Sequence, residues 1–359
     1  MSIDTLNIVF IISNARSGST MLRQVLNTNP SIGIPEREYG SLLSILKKIE
    51  SYGDLNIKDN FEKFYYDNEN IVSLDLKKGG FENAKTFKLE LSTWFKSLTT
   101  FNFQSVYAML LYHHSQVFGK SHQNLKWLGD KSPQHIKDIN LLTNHFPNAK
   151  YVLLTRNPID IALSQDKFAF RHYNFIKKEQ LNKAWKKLNN KNNYLLIRRI
   201  GACIKNITNT RQVFQDKNID YIEVNYEELL TDSNVFFKTV TSFLNIDNEF
   251  DLKKLRIKES QSGTKKGSNE LLVNNINKYK SLLSTDFIKK IELTFGEELN
   301  KATDKISTSV DLKNLNYNYR HTVKYIRNIF ISFVPVIGIF KTLQLVFQKY
   351  ISKKRRSQN

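Results

Sequence analysis

The residues near the N-terminus combine a short apolar run with a loop of small and basic side chains. Residues 7–13 are mostly apolar, the sequence RSGST follows at residues 16–20, and apolar residues at helical spacing begin at Met21. This order predicts a strand, a loop and a helix. The N–H groups of such a loop and of the helix N-terminus converge on one point and favour negative charge, and Arg16 adds a permanent positive charge. The segment therefore predicts a site for a phosphate-like group.

The loop departs from the common nucleoside triphosphate loop. That loop reads Gly-x-x-x-x-Gly-Lys-Ser/Thr, in which the lysine reaches the β- and γ-phosphates and the hydroxyl binds magnesium. Residues 13–20 read SNARSGST, so the first glycine and the lysine are both missing. An ordinary nucleoside triphosphate site is therefore disfavoured. A tight strand-to-helix turn, with Ser19 or Thr20 as the helix N-cap, is the purely structural alternative.

A second strand-to-helix segment carries another arginine. Residues 151–155 predict a buried parallel strand, Asn157 suits an N-cap and Pro158 suits the first helical position. Ser164 lies seven residues beyond Asn157, close to two helical turns, so its hydroxyl faces the end of the strand. Arg156 and Ser164 can therefore bind a second anion. Two such segments indicate a ligand with two anionic groups, whereas a solvated arginine after a plain strand is the alternative for each.

With both segments in order, the sequence resembles the sulfotransferase superfamily that uses 3′-phosphoadenosine 5′-phosphosulfate (PAPS). The RSGST loop resembles the family's loop for the 5′-phosphosulfate, and Arg156 with Ser164, eight residues apart, resembles its 3′-phosphate motif. The resemblance covers approximately residues 5–300. It looks closest to the branch that contains the tyrosylprotein sulfotransferases and many bacterial glycan sulfotransferases.

The resemblance also implies which residues perform the chemistry. The sequence GDKSP at residues 129–133 is similar to the family's Lys-Ser/Thr-Pro motif, whose lysine, here Lys131, reaches the sulfate. Sulfuryl transfer is an in-line displacement in which the protein positions the reactants and neutralises charge, a task for Arg16 and Lys131. A carboxylate must accept the proton of the acceptor hydroxyl. The family's spacing admits both Glu36 and Glu38, with Glu38 slightly preferred, and a surface charge cluster is the alternative for each.

The donor-binding residues follow from the same resemblance. Tyr226 begins a Tyr-Glu-x-Leu segment of the kind that lies near the adenosine, and Lys278 lies in a late phosphate-contacting region. The implied donor-binding set is Arg16, Ser17, Gly18, Ser19, Thr20, Arg156, Ser164, Tyr226 and Lys278. His135 is expected to be a structural partner rather than a base. We expect no metal, because no set of histidines is spaced on one face as a metal site requires.

The expected fold is α/β, a doubly wound parallel sheet of P-loop type with helical insertions. Residues 1–310 would form the sulfotransferase domain, within which residues 41–125 form a helical insertion on the acceptor side. The polar residues 54–70 read as a connection inside this insertion, and residues 134–146 read as a helix that starts at the proline of the GDKSP segment.

Charge and cysteine content limit the class of protein. Lys and Arg number 54 against 34 Asp and Glu, a surplus of 20. No zinc-finger spacing, basic-zipper heptad or RNA-binding aromatic motif accompanies it, so nucleic acid is not the expected partner. The single Cys203 fits a reducing compartment, and no charged-then-apolar leader precedes the first strand. We therefore expect a cytoplasmic enzyme. A P-loop-like nucleotide or metabolite kinase and a basic nucleic-acid-binding protein remain the alternatives.

The C-terminal tail, residues 311–359, is basic and amphipathic. Ten Lys and Arg residues and no acidic residue follow Asp311. The apolar run at residues 329–340 is shorter than the roughly 20 residues of a spanning helix. The tail from residue 319 to residue 359 therefore either lies on an anionic membrane surface or docks on the protein core. The acceptor is not encoded in a readable motif: a glycan hydroxyl is expected first, with a tyrosine phenol, a lipid or a small metabolite behind it.

Overall fold

The computed structural model describes most of the chain and divides it into two compact units. The described residues are 6–35, 38, 42–78, 102–116, 124–170, 177–189, 194–252, 276–302 and 319–346. The first unit comprises Met1–Thr155 and Asn209–Val273, and the second comprises Arg156–Thr208 and Asn274–Asn359.

A five-stranded parallel sheet forms the centre of the first unit. Its strands are β1 (Asn7–Ser13), β2 (Ile32–Gly33), β3 (Trp127–Lys131), β4 (Lys150–Thr155) and β5 (Tyr221–Asn225). They are arranged in the order β2-β3-β1-β4-β5, and every neighbouring pair is parallel. The predicted α/β fold with a doubly wound parallel sheet is thereby confirmed.

Fifteen α-helices occur in the described part of the chain. In chain order they are α1 (Ser19–Leu26), α2 (Leu42–Leu46), α3 (Lys58–Lys78), α4 (Phe103–Gln116), α5 (Ile139–His145), α6 (Pro158–Phe170), α7 (Lys178–Asn189), α8 (Tyr194–Asp216), α9 (Tyr226–Thr231), α10 (Ser233–Leu244), α11 (Tyr279–Leu282), α12 (Thr285–Phe295), α13 (Glu297–Lys301), α14 (Tyr319–Ile337) and α15 (Ile339–Val346). The described residues of the first unit also contain two 3-10 turns, Ile49–Tyr52 and His135–Lys137.

The middle residues of β1 and β4 are apolar and buried because helices cover both faces of the sheet. Six of the seven residues of β1 are buried. The ring of Phe10 on β1 contacts the rings of Tyr107, Phe146 and Tyr151, with centroid distances of 6.3, 5.1 and 5.5 Å. This packing fixes the strand that carries the anion-binding loop.

The carboxyl ends of β1 and β4 lie side by side, with Ser13 opposite Leu154. The chain leaves β1 towards β2 and later leaves β4 towards β5, so the strand order reverses between these two strands. Open α/β sheets bind their ligands at the carboxyl edge at such a reversal. The loop after β1 and the end of β4 therefore share one edge of the sheet.

Two local predictions in the first unit are wrong. The polar stretch at residues 54–70 is not a connection, because Lys58–Lys78 forms helix α3, anchored by the buried ring of Phe64. The chain after β3 does not begin a helix at its proline. Instead, the Ser132 carbonyl accepts the His135 N–H at 3.2 Å and its hydroxyl accepts the Gln134 N–H at 3.3 Å, which closes a turn before the 3-10 residues.

The second unit is helical and includes the described part of the C-terminal tail. Its buried cluster contains Ile159 from α6, Trp185 from α7, Phe287 from α12 and Phe333 from α14. Helix α14 packs against α7, so the tail docks on this core over its described residues. Among the described helices, none combines the length and the apolar character that crossing a bilayer requires.

Candidate active site

The loop after β1 contains two residues with positive φ angles. Arg16 has φ = 76° and Gly18 has φ = 97°. The Ser17 N–H donates to the Asn14 carbonyl at 3.2 Å, so Asn14–Ser17 is a turn with a positive φ at its third residue, where glycine is usual. An L-residue such as Arg16 in this region costs about 1–2 kcal/mol. Strain of this kind is concentrated at ligand-binding sites.

Helix α1 starts without a side-chain cap. It begins at Ser19, and its N-cap residue is Gly18, which has no side chain. The structural alternative, in which Ser19 or Thr20 caps the helix, is therefore wrong. The first N–H groups of the helix remain available to a ligand at this end.

Two buried hydroxyls support an anion at the loop. The Oγ atoms of Ser13 and Ser17 are buried and have no hydrogen-bond partner among the described residues. A buried hydroxyl without a partner costs about 1–3 kcal/mol. Each of these two hydroxyls can donate a hydrogen bond to a phosphosulfate oxygen. The loop residues therefore fit the phosphosulfate group that the sequence resemblance implies.

The ring of Tyr226 packs against Gly18 of this loop. A Cβ atom on Gly18 would lie 2.3 Å from Cδ2 of the Tyr226 ring, so only glycine fits against it. Tyr226 is fully buried at the start of α9, whose N-cap Asn225 accepts the N–H groups of Glu227 at 2.9 Å and Glu228 at 3.2 Å. Its contact with adenosine stays a prediction.

We expect Gly18→Ala to destabilise the protein and to weaken donor binding. The positive φ and the overlap with Tyr226 together should lower the free energy of unfolding by about 3 kcal/mol, and affinity for adenosine 3′,5′-bisphosphate should fall about tenfold. Gly338→Ala is the control, since its φ is 81° but a Cβ there meets no described atom within 4 Å. Equal losses of stability in the two variants would contradict the role given to Tyr226.

The predicted catalytic lysine lies beside a predicted catalytic glutamate. Lys131 is the last residue of β3, and its Nζ forms an ion pair with Glu38 and lies 3.4 Å from Oγ1 of Thr20. The Lys131 side chain is 3% exposed and that of Glu38 is 45% exposed. The structure thus brings together the ammonium, a loop hydroxyl and one candidate base. Glu36, the other candidate, lies outside the described residues.

Burial dominates the electrostatics of Lys131. Its loss of solvent lowers the pKa of Lys131, the negative charge of Glu38 acts in the opposite direction, and the neighbouring Arg23 lowers the pKa further. Two cations, Lys131 and Arg23, thus lie near the carboxylates of Glu38 and Asp130. A buried ammonium in this position can stabilise negative charge that develops on transferring oxygens.

A buried polar network stands behind Lys131. Asp130 Oδ2 accepts the Tyr107 hydroxyl at 2.7 Å and the Nε2–H of His135 at 2.6 Å. Burial alone would raise the pKa of Asp130, but His135, Tyr107 and the Lys131 N–H hold it below its ordinary value. His135 is thus a buried hydrogen-bond partner of Asp130, and that it does not act as a base stays a prediction. The network fixes the end of β3 that carries Lys131.

Helix α1 fixes the chain that leads to Glu38. Arg23 donates from Nη1 to the Pro35 carbonyl at 2.8 Å. One helical turn later, the Asn27 side chain donates to the Ile34 carbonyl at 2.6 Å and accepts the Ile34 N–H at 2.7 Å. These three bonds hold the backbone a few residues before Glu38. Arg23 and Asn27 are positioning residues that the sequence reasoning missed.

The second unit contains its own cluster of charges, around the N-terminus of α6. Asn157 caps this helix by accepting the Ile159 N–H at 2.9 Å, as predicted. Asp160 accepts the Tyr279 N–H at 3.0 Å and so holds the turn that carries Lys278. Arg156 is 4% exposed. No sequence motif predicted the contact between Asp160 and this turn.

The charges of this cluster act on one another. Burial raises the pKa of Asp160, against the influence of the Arg156 guanidinium. The protein around Lys278 displaces part of its solvent and, with the positive charges of Arg156 and Lys167, lowers the pKa of Lys278. Three cations against one carboxylate leave an excess of positive charge, which suits a phosphate. Ser164 lies half-buried on the same helix as Asp160.

In the described part of the chain, no group of three His, Cys, Asp or Glu side chains is placed to hold a metal ion. The expectation that the site uses no metal remains a prediction.

Comparison with known proteins gives one matching family and several solved structures of lower similarity. The sequence matches the profile of the family Sulfotransfer_3, described as a sulfotransferase family, over residues 8–251. The sulfotransferase domain from the curacin biosynthetic pathway shares 18% identity with this chain at a TM-score of 0.46, over 80% of this chain and 97% of that one. The sulfotransferase from Alicyclobacillus acidocaldarius shares 16% at a TM-score of 0.41, over 82% and 93%. No curated protein matches the sequence.

Proposed function

The chain belongs to the sulfotransferase family. We propose on this premise that it transfers the sulfuryl group of PAPS to an acceptor hydroxyl, and that the acceptor is a glycan. The single observation that carries the proposal is the pairing of Lys131 with Glu38 beside the strained loop. A cation and a base side by side at an anion-binding loop are the parts that a displacement at sulfur needs.

The donor would be bound through its two anionic groups. The N–H groups of residues 18–20, the hydroxyls of Ser13 and Ser17 and the Arg16 guanidinium suit the 5′-phosphosulfate. Arg156, Ser164 and Lys278 suit the 3′-phosphate, which would relieve the mutual repulsion of the cations in that cluster. The loop lacks the lysine that a nucleoside triphosphate site uses, so ATP has no equivalent partner here.

The chemical step needs one proton acceptor and one source of positive charge. As the acceptor oxygen bonds to sulfur, the bond between sulfur and the phosphate oxygen breaks, and the hydroxyl proton passes to Glu38. Lys131 and Arg16 stabilise the negative charge that the leaving phosphate gains. Glu38 is paired with Lys131 before the acceptor binds, so an incoming hydroxyl replaces part of that contact.

The exposure of Glu38 supports a bulky polar acceptor. Its side chain is 45% exposed while that of Lys131 is 3% exposed, so an acceptor reaches the base from solvent. A sugar hydroxyl on a glycan can do so without entering a deep cavity.

We also place the enzyme in the cytoplasm, because its single cysteine, Cys203, is buried and fits a reducing compartment.

Transfer from PAPS to defined acceptors tests the acceptor class. The purified protein is incubated with PAPS and, separately, with oligosaccharides, a tyrosine-containing peptide and a glycolipid, and products are weighed by mass spectrometry. The proposal expects a sulfate mass increment on an oligosaccharide. Sulfation of the peptide, with no sulfation of any sugar, would contradict the proposed glycan acceptor. The proposed sulfotransferase activity would still hold.

Arg156→Ala is expected to weaken binding of adenosine 3′,5′-bisphosphate by about 10- to 100-fold, since a charge-assisted contact to phosphate is lost. Calorimetric titration measures the change. The matched control is Arg198→Ala, an exposed arginine of the same unit, which should bind the bisphosphate as the parent protein does. Unchanged affinity in the Arg156 variant would remove it from the donor site.

A further inference from the structure

Helix α15 carries apolar side chains on both of its sides. Thr342 and Leu345 are buried against the second unit. On the other side, Ile339, Phe340 and Leu343 are 52%, 83% and 49% exposed. Positions 339, 340 and 343 are separated by one, three and four residues, which places them on one helical face. We call these three residues the outer face of α15.

The outer face is an accumulation rather than a scatter of apolar residues. Eight large apolar side chains are exposed in the described part of the chain, and four of them lie between Ile331 and Leu343. Single exposed apolar residues are normal on protein surfaces, whereas grouped ones mark interaction sites.

The surroundings of the outer face are positively charged. Lys341 is exposed between Phe340 and the buried Thr342, and Arg327 is exposed on α14. In sequence, residues 312–359 contain ten Lys and Arg and no Asp or Glu, which is half of the chain's surplus of 20 positive charges. The partner of this face must therefore accept apolar side chains and supply negative charge.

We propose that the outer face of α15 docks the enzyme on an anionic lipid surface. Ile339, Phe340 and Leu343 enter the interface between headgroups and acyl chains, and Lys341 binds the lipid phosphates. The net positive charge of the sequence at residues 312–359 adds attraction to an anionic surface. A second copy of this chain is a poor occupant, because it would bring the same positive charge to the contact. Nucleic acid would satisfy the charge but offers little to the apolar side chains. The inference concerns location and goes beyond the proposed sulfuryl transfer.

The structure also decides how the proposal must be tested. Ile329 and Phe333 of α14 are fully buried in the core of the second unit. Deletion of residues 319–359 would therefore remove core packing as well as the outer face. Substitutions of exposed residues on α15 separate the two effects.

The test compares binding of the full chain to vesicles of phosphatidylcholine with and without phosphatidylglycerol, by co-sedimentation. We expect binding to the anionic vesicles that weakens at high salt, and at least about a tenfold weaker partition for the double variant Ile339→Glu/Phe340→Glu. The matched control is Leu293→Glu, an apolar residue on a different helix, α12, that is 88% exposed. It should bind as the parent protein does.

Three results would overturn the proposal: a parent protein that stays in the supernatant, a double variant that binds like the parent, or a Leu293 variant that loses binding equally. Concentration-dependent dimerisation that the double variant abolishes, without vesicle binding, would assign the face to a second copy instead. Thermal melting and bisphosphate titration of each variant establish that it is folded, so a loss of binding reports on the surface alone.

Discussion

Glu38→Gln is expected to lower kcat for sulfuryl transfer by about 10²- to 10⁴-fold, the usual contribution of a positioned general base. Glutamine keeps the size of the side chain but cannot accept the proton of the acceptor hydroxyl. Affinity for adenosine 3′,5′-bisphosphate should change little, because Glu38 acts on the acceptor. Steady-state kinetics and calorimetry on the same preparation measure the two quantities.

Two further variants make the Glu38 experiment decisive. Glu50→Gln removes an exposed carboxylate in the 3-10 turn of the same unit and should leave kcat unchanged. Glu36→Gln tests the second candidate base. A full rate in the Glu38 variant combined with a large loss in the Glu36 variant would transfer the role of base to Glu36.

Lys131→Met should reduce kcat by about 10²- to 10³-fold, as removal of one donor to a developing oxyanion does in other enzymes. Methionine fills a similar volume and leaves the buried position without charge. Lys126→Met, at an exposed lysine just before the same strand, is the control and should retain activity. A Lys131 variant with parental kcat would contradict the assignment.

The pH dependence of kcat in the parent protein is a second test of the role of Lys131. Activity requires the protonated ammonium, and burial lowers the pKa of Lys131. The rate should therefore fall on the alkaline side at a lower pH than an ordinary lysine would give. In Lys131→Arg this fall should move to higher pH, because a guanidinium keeps its proton throughout the accessible range.

Local patterns in the sequence were sufficient to predict the parts of the site that lie on strand ends. Arg16 and Arg156 each follow an apolar strand that the sequence predicts, and parallel strands bring such positions to one edge of the sheet. Lys131 was identified instead by the resemblance of the GDKSP segment to the family motif. The Asn157 cap and the strand-loop-helix order of residues 7–26 are equally local. For this reason the α/β fold and the loop could be predicted without any tertiary information.

Contacts between distant residues could not be predicted in this way. Tyr107 reaches Asp130 across 23 residues of sequence, and Arg23 reaches Pro35 across 12. Neither residue belongs to a motif, so only the folded chain shows that they fix Lys131 and Glu38. Helix α3 was missed for a different reason: its polar composition resembles a loop, and the burial of Phe64 that stabilises it is a tertiary effect.

The choice of donor is the central claim, and calorimetry tests it most directly. The full chain is titrated with adenosine 3′,5′-bisphosphate in the presence of a metal chelator and, separately, with ATP and magnesium. We expect saturable binding of the bisphosphate without magnesium and no binding of ATP with magnesium. Binding of ATP with magnesium in preference to the bisphosphate would contradict it.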